Sequence, residues 1–151
     1  MKKDTLLKQL FFGIMLLILP GLSQAKPFTE NGDSTVTDQK TGLIWMKTTP
    51  STLLNWESAL NYCEGFNLAN HSDWRLPNIK ELYSIVDMSQ SDIIDTTAFP
   101  GTGSYYWSST TDVNNTSYAW GLNFTSGTVY SGNGSKSIYS GRYFRCVRGG
   151  S

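Results

Sequence analysis

The chain is poor in the residues that build metal centres and catalytic dyads. It holds a single histidine, His71, and two cysteines, Cys63 and Cys146, far apart in sequence. Zinc sites draw on closely spaced Cys and His ligands, and no such pair is present. No nucleophile stands beside a recognisable base. His71 lies in Asn70-His71-Ser72 without an acid partner, and Asp73 reads as a turn former. These shortages point away from an enzyme and from any cofactor. Acidic residues stop at Asp112, and beyond it come Lys136, Arg142, Arg145 and Arg148. That is either a locally basic C-terminal face or ordinary solvated surface.

Long apolar runs are also missing. The longest, Leu10 to Leu19, is short of the ~20 residues a membrane helix needs. Preceded by Lys2, Lys3 and Lys8 and followed by Ser23-Gln24-Ala25, it reads as a secretory signal peptide over residues 1–25. No cysteine follows it to suggest lipid modification. Secretion or a periplasmic location is therefore expected, with no stable membrane span after cleavage. Removing Lys2, Lys3, Lys8 and Asp4 from twelve basic and twelve acidic residues leaves nine and eleven. A net charge near −2 argues against nucleic acid as a partner. Residues 26–33 read as a polar linker and 34–150 as one domain, long enough for a sizeable core. Several Asn-x-Ser/Thr sequons read as loop composition.

In an exported protein an even cysteine count suggests one bridge, worth roughly 4–5 kcal/mol by loop-closure entropy. A thiol nucleophile or a metal ligand is the alternative at this point.

What is abundant is aromatic residues. Val36-Thr37-Asp38 and Leu43-Ile44-Trp45-Met46 flank a glycine-containing turn and predict a hairpin. Asn55 suits an N-cap, and Trp56, Ala59, Leu60, Cys63 and Phe66 fall on one helical stripe. The central stretch from Asp73 to Leu82 packs an aromatic, a cation, a proline and a helix start together. Asn78 with Glu81 three residues later forms a capping-box pattern, and Ile79, Leu82, Tyr83 and Val86 predict one helix face over 79–86. Pro77 holds Leu76 extended. Arg75, between Trp74 and Leu76, is expected to be a structural brace paired with a carboxylate or carbonyl. Asp87, Ser89, Ser91 and Asp95 loosely imitate a calcium loop but lack its sixth-position glycine and twelfth-position glutamate. A plain surface loop pinned by Phe99 is the expectation for 87–104.

From Tyr105 on, four strands are predicted, at 105–110, 118–124, 128–130 and 143–147. Tyr118, Trp120, Leu122 and Phe124 share one parity, implying a single buried face, and Trp107 reads as core. The fold class is α+β: an N-terminal hairpin, two short helices and an irregular antiparallel sheet.

Asp38 to Trp45, Trp56 to Cys63, Trp74-Arg75-Leu76-Pro77 to Leu82, Phe99-Pro100, Trp107-Ser108-Ser109-Thr110 and Arg145-Cys146-Val147-Arg148 together resemble successive signatures of the Lcl C-terminal domain family. That family, named after a bacterial collagen-like adhesin, is similar to the C-type lectin-like fold. The resemblance implies that the first and last strands pair, that two helices flank an irregular sheet, and that Cys63 and Cys146 are joined. It implies a role like the adhesin's, which is implicated in binding sulfated polysaccharides and host surfaces. The chain has no Gly-X-Y tract, and the Glu-Pro-Asn, Gln-Pro-Asp and Trp-Asn-Asp strings of calcium-dependent lectins do not occur, so no calcium sugar site is carried over.

The expected function is that of an exported, non-catalytic binding module for a glycan or other extracellular polymer. The alternative is a module for interaction or assembly with an envelope protein. Aromatic faces suit the apolar side of a sugar ring, and cations suit an anionic polymer. The candidate ligand-binding residues are Tyr118, Tyr130, Tyr139, Lys136 and Arg142, with Trp74, Arg75, Pro77, Glu81 and Trp107 as the structural set.

Overall fold

A computed structural model describes residues 27–89, 91–131, 135–137 and 141–149. The leader expected over residues 1–25 and the candidate Tyr139 lie outside the described residues. In chain order the elements are β1 (Phe28–Glu30), β2 (Thr35–Asp38), β3 (Ile44–Met46), α1 (Trp56–Glu64), α2 (Ile79–Ser84), β4 (Tyr105–Thr111), β5 (Ala119–Asn123), β6 (Thr128–Tyr130) and β7 (Val147–Arg148). They form two antiparallel sheets, one ordered β1-β2-β3-β7 and the other β4-β5-β6. Two short helices with two antiparallel sheets make the fold α+β, as expected.

Both helices start where their caps predict. The Asn55 side chain accepts from the Ser58 amide at 2.9 Å, and Ala59 and Cys63 are the buried positions of α1. At α2 the capping box is complete: Asn78 Oδ1 accepts from the Glu81 amide, and Glu81 returns a carboxylate oxygen to the Asn78 amide at 2.8 Å. Leu82 is the buried position of α2, with the C-cap Ile85 buried just beyond it, whereas Tyr83 is exposed. A helix of barely two turns meets the core along one narrow line, and Tyr83 falls outside it.

Three expectations change. The stretch 26–33 contributes β1, which pairs with β2 through Thr29 opposite Thr37. The last predicted strand shortens to Val147–Arg148 and joins the N-terminal sheet beside β3 rather than β1. Residues 142–147 instead stitch the molecule together. Arg142 bridges Leu54, Tyr143 bridges Tyr106 of β4, and Val147 bridges Arg75 on one side and β3 on the other. Chain committed to so many short bridges cannot extend a regular ladder. Finally, the three-stranded sheet is covered on both faces. Tyr106, Leu122 and Phe124 join a core with Trp45, Leu82 and Phe99, while Trp107 and Ala119 join a second core with Ala59, Trp74 and Phe144. Trp120 is only half-buried.

The Cys63–Cys146 disulfide, with both residues fully buried, ties α1 to the segment entering β7. The 87–104 loop is held down by Phe99 and Ala98, which stack into the first core.

Candidate functional site

Strand parity sets the ground plan. Tyr105, Trp107, Gly121 and Tyr130 lie on one face of the β4-β5-β6 sheet, because Trp107 pairs with Gly121 and Gly121 with Tyr130. Gly121 is required here by space, since a Cβ at that position would fall 2.5 Å from the Tyr130 hydroxyl and 2.5 Å from the Tyr106 carbonyl oxygen. The Tyr130 phenol lies in that gap and donates to the Tyr106 carbonyl at 3.1 Å. Burial pushes its pKa up to about 12, and the neighbouring Arg142 charge only partly offsets this.

Arg142 stands over this face. Leu54 and Arg142 exchange backbone hydrogen bonds of 3.1 and 2.9 Å, which fixes where the side chain starts. The guanidinium carbon then sits 5.4 Å from the Tyr105 ring centroid, 5.1 Å from Trp107 and 5.1 Å from Tyr130. All three distances fall in cation–π range, inside about 6 Å. Trp107 is wholly buried and donates its indole N–H to the Leu54 carbonyl at 2.8 Å, whereas the Tyr105 ring is 44% exposed. A rigid floor therefore carries one outward-facing aromatic. A cavity of about 160 Å³ opens beside Arg142, lined by Leu53, Ser104, Tyr105, Gly141 and Tyr143.

The second cation follows the same plan. Lys136 Nζ lies 3.9 Å from the Trp56 ring centroid and donates to Thr111 Oγ1 at 2.8 Å. Trp56, at the first turn of α1, donates its indole N–H to the Ser108 carbonyl of β4 at 2.8 Å. Desolvation holds the Lys136 ammonium below its ordinary pKa. Both cations are thus seated on aromatic rings anchored to β4.

Of the expected ligand residues, Tyr130 and Arg142 come together. Lys136 sits over Trp56, and Tyr118 is half-buried where it bridges Ser135. Tyr105 and Trp56 complete the arrangement without having been singled out. Tyr105 is readable in principle, two residues before Trp107 on the same strand. Trp56 is not, because its partner is 80 residues away in sequence by their numbers.

The structural set behaves as braces. Arg75 donates two parallel 2.7 Å bonds to Glu81, so the brace and the capping box share one carboxylate. Trp74, Pro77 and Trp107 are buried, and the Pro77 carbonyl accepts from the Ser109 amide of β4 at 2.8 Å. Arg148 pairs with Asp73, which accepts at 2.7 and 3.1 Å and has its pKa lowered chiefly by that bond. Arg145 departs most from a solvated basic face. It is fully buried, donating to the Met46 and Lys47 carbonyls, to Thr49 Oγ1 at 2.8 Å and to Thr102 Oγ1 at 3.0 Å, with the Phe99 ring 4.9 Å away. None of these partners is a carboxylate, and burial lowers the guanidinium pKa.

In the 87–104 loop the Asp87 carboxylate accepts from the Ser89 amide and hydroxyl, and that of Asp95 from the Thr97 and Ala98 amides. Among the described residues no group of three or more His, Cys, Asp or Glu is placed to hold a metal ion, and no helix is long and apolar enough to cross a membrane. The Lcl C-terminal domain matches residues 34–148 of the chain. No curated protein matches it.

Proposed function

The chain belongs to the Lcl C-terminal domain family, and from that premise we propose that it is an exported, non-catalytic binding module for an anionic glycan or similar extracellular polymer. The observation that carries this reading is the seating of Arg142 against Tyr105, Trp107 and Tyr130. A guanidinium held by ring faces keeps its planar fork pre-oriented, and a fork matches the paired oxygens of a sulfate or carboxylate. The exposed Tyr105 ring beside it supplies a flat apolar surface for a pyranose. Lys136 on Trp56 gives a second positive point, as a repeating polyanion requires. Against catalysis stand the sealed Cys63–Cys146 pair and the exposed His71. The same reading takes the fold as C-type lectin-like. In its favour, the last strand returns to the N-terminal sheet and a bridge ties it to α1.

Retention on a heparin column at low salt tests this. The wild-type chain is expected to bind and to elute as salt rises, and Arg142→Gln with Lys136→Gln to elute near the void. A wild-type chain that ignores heparin and every polysaccharide on a glycan array would remove the reading. A protein-binding role is favoured by one observation: Leu53, 48% exposed, rims the cavity beside Arg142. Capture of an envelope protein that survives glycosidase treatment would move the assignment there.

A further inference from the structure

A different part of the molecule carries a second recognition surface. β1 is the outer strand of the N-terminal sheet, and among the described residues no strand pairs with its free edge. The Gln39 amide donates to the Pro27 carbonyl at 2.9 Å and the Asn31 amide to the Thr35 carbonyl at 3.0 Å, with Thr29 opposite Thr37 between them. Hydrogen-bonded positions alternate along an antiparallel pair. Phe28 and Glu30 therefore turn their N–H and C=O groups away from β2, toward the open side.

Beside β1 lies a cavity of about 620 Å³ lined by Phe28, Thr29, Glu30, Gln39, Asp95 and Ala98, among others. Three successive residues of β1 line it, so the cavity follows the length of the strand. A second cavity of about 320 Å³ adjoins it through Phe28, Asp95 and Thr97 and adds Asp87 and Asp92. The charged side chains lining the two are all acidic: Glu30, Asp87, Asp92 and Asp95. One of them, Glu30, is paired with Lys47. The floor is apolar, with Phe28 edge-on to Phe99 at 4.9 Å.

We infer that the free edge of β1 takes an extended peptide bearing lysine or arginine at alternate positions, which adds to the sheet as a further strand. Main-chain hydrogen bonds to Phe28 and Glu30 supply affinity, and the acidic walls select basic side chains, which at alternate positions of a strand project to one side. A second copy of this chain is disfavoured as occupant because it would bring its own acidic walls against these. The surface is independent of the Arg142 face.

The probes are a Lys-Val-Lys-Val-Lys-Val amide and a Glu-Val-Glu-Val-Glu-Val amide, added to the oxidised protein. The lysine peptide is expected to slow hydrogen exchange of the Phe28 and Glu30 amides at least tenfold, and the glutamate peptide to leave them unchanged. Glu30→Pro removes one outward N–H at an edge position where proline is tolerated, and should abolish that protection at Phe28 while heparin elution stays as in wild type. Asp92→Lys, on an exposed side chain, serves if the proline variant fails to fold, and should weaken lysine-peptide binding several-fold. Equal binding of both peptides, no protection with either, or protection that rises with protein concentration alone would each overturn the proposal, the last in favour of edge-to-edge self-pairing.

Discussion

The Tyr130 hydroxyl occupies the volume that any side chain at position 121 would need, with a built Cβ on Gly121 only 2.5 Å away. The floor beneath Arg142 thus depends on the smallest residue being on the neighbouring strand. Gly121→Ala should expel the phenol, break its bond to the Tyr106 carbonyl and destabilise the fold by about 1–3 kcal/mol, the usual cost of overpacking. Urea unfolding measures the loss, and heparin elution of the folded fraction should come at lower salt.

Alkaline pH offers a second check on that phenol. Its folded pKa, raised to about 12, exceeds the ordinary tyrosine value of about 10. The folded chain therefore binds more protons than the unfolded one between those limits. Stability from this group is intact below pH ~10 and declines as pH climbs through the raised value. Tyr130→Phe should flatten that part of the profile, as followed by the unfolding midpoint across the alkaline range.

Arg145 is a charge held by carbonyls, hydroxyls and one ring face. Arg145→Lys keeps the charge but offers three donors from one point, which cannot span Met46, Lys47, Thr49 and Thr102 together. Acceptors left unsatisfied in the interior cost about 1–3 kcal/mol each. A loss of about 3–5 kcal/mol is expected, the range for breaking a buried charged network. A midpoint in urea within error of wild type would show that the site tolerates the lysine.

On the acid side, Glu81 carries the prediction. Burial raises its pKa, but the bonds from Arg75 and the Asn78 amide outweigh that, and the net shift is downward. A carboxylate with a depressed folded pKa stabilises above its unfolded value and loses that contribution as pH falls through the folded one. Glu81→Gln should reduce stability at neutral pH by about 1–2 kcal/mol, the scale of a lost charged hydrogen bond and cap. It should also make the remaining stability less sensitive to acid, which unfolding curves between pH 3 and pH 7 would show.

Cys63→Ala with Cys146→Ala removes the bridge. The bridge spans a sequence separation of 83 residues, so the loss should approach about 4.5 kcal/mol on loop-closure grounds. Comparison of urea midpoints for the oxidised chain and the double variant gives the figure.

Local chemistry explains which features could be read from sequence. Asn55 and Asn78 announce their helices because a cap is decided within four residues. The fold class followed from the same short-range patterns. Arg145 was opaque because its partners lie 43 to 99 residues away and are backbone carbonyls and hydroxyls, which have no sequence signature. It looked like Arg142 and Arg148, yet the three cations sit in a core, on a ring floor and beside Asp73. Of the alternating set from Tyr118 to Phe124 only Leu122 and Phe124 reach the first core, and parity alone cannot tell that a second core covers the other side. Tyr130 and Arg142 stood out by type, whereas Trp56 entered the site only through the return of the chain at Lys136.

The clasp between the first helix and the final ribbon also sets how the molecule answers to tension. Drawn apart by residues 27 and 149, the chain can lengthen only over 27–62 and 147–149, because everything between Cys63 and Cys146 is short-circuited by the sulfurs. The platform under Arg142 lies inside the protected span. A tether could peel the N-terminal sheet strand by strand while the platform's own strands bore none of the load.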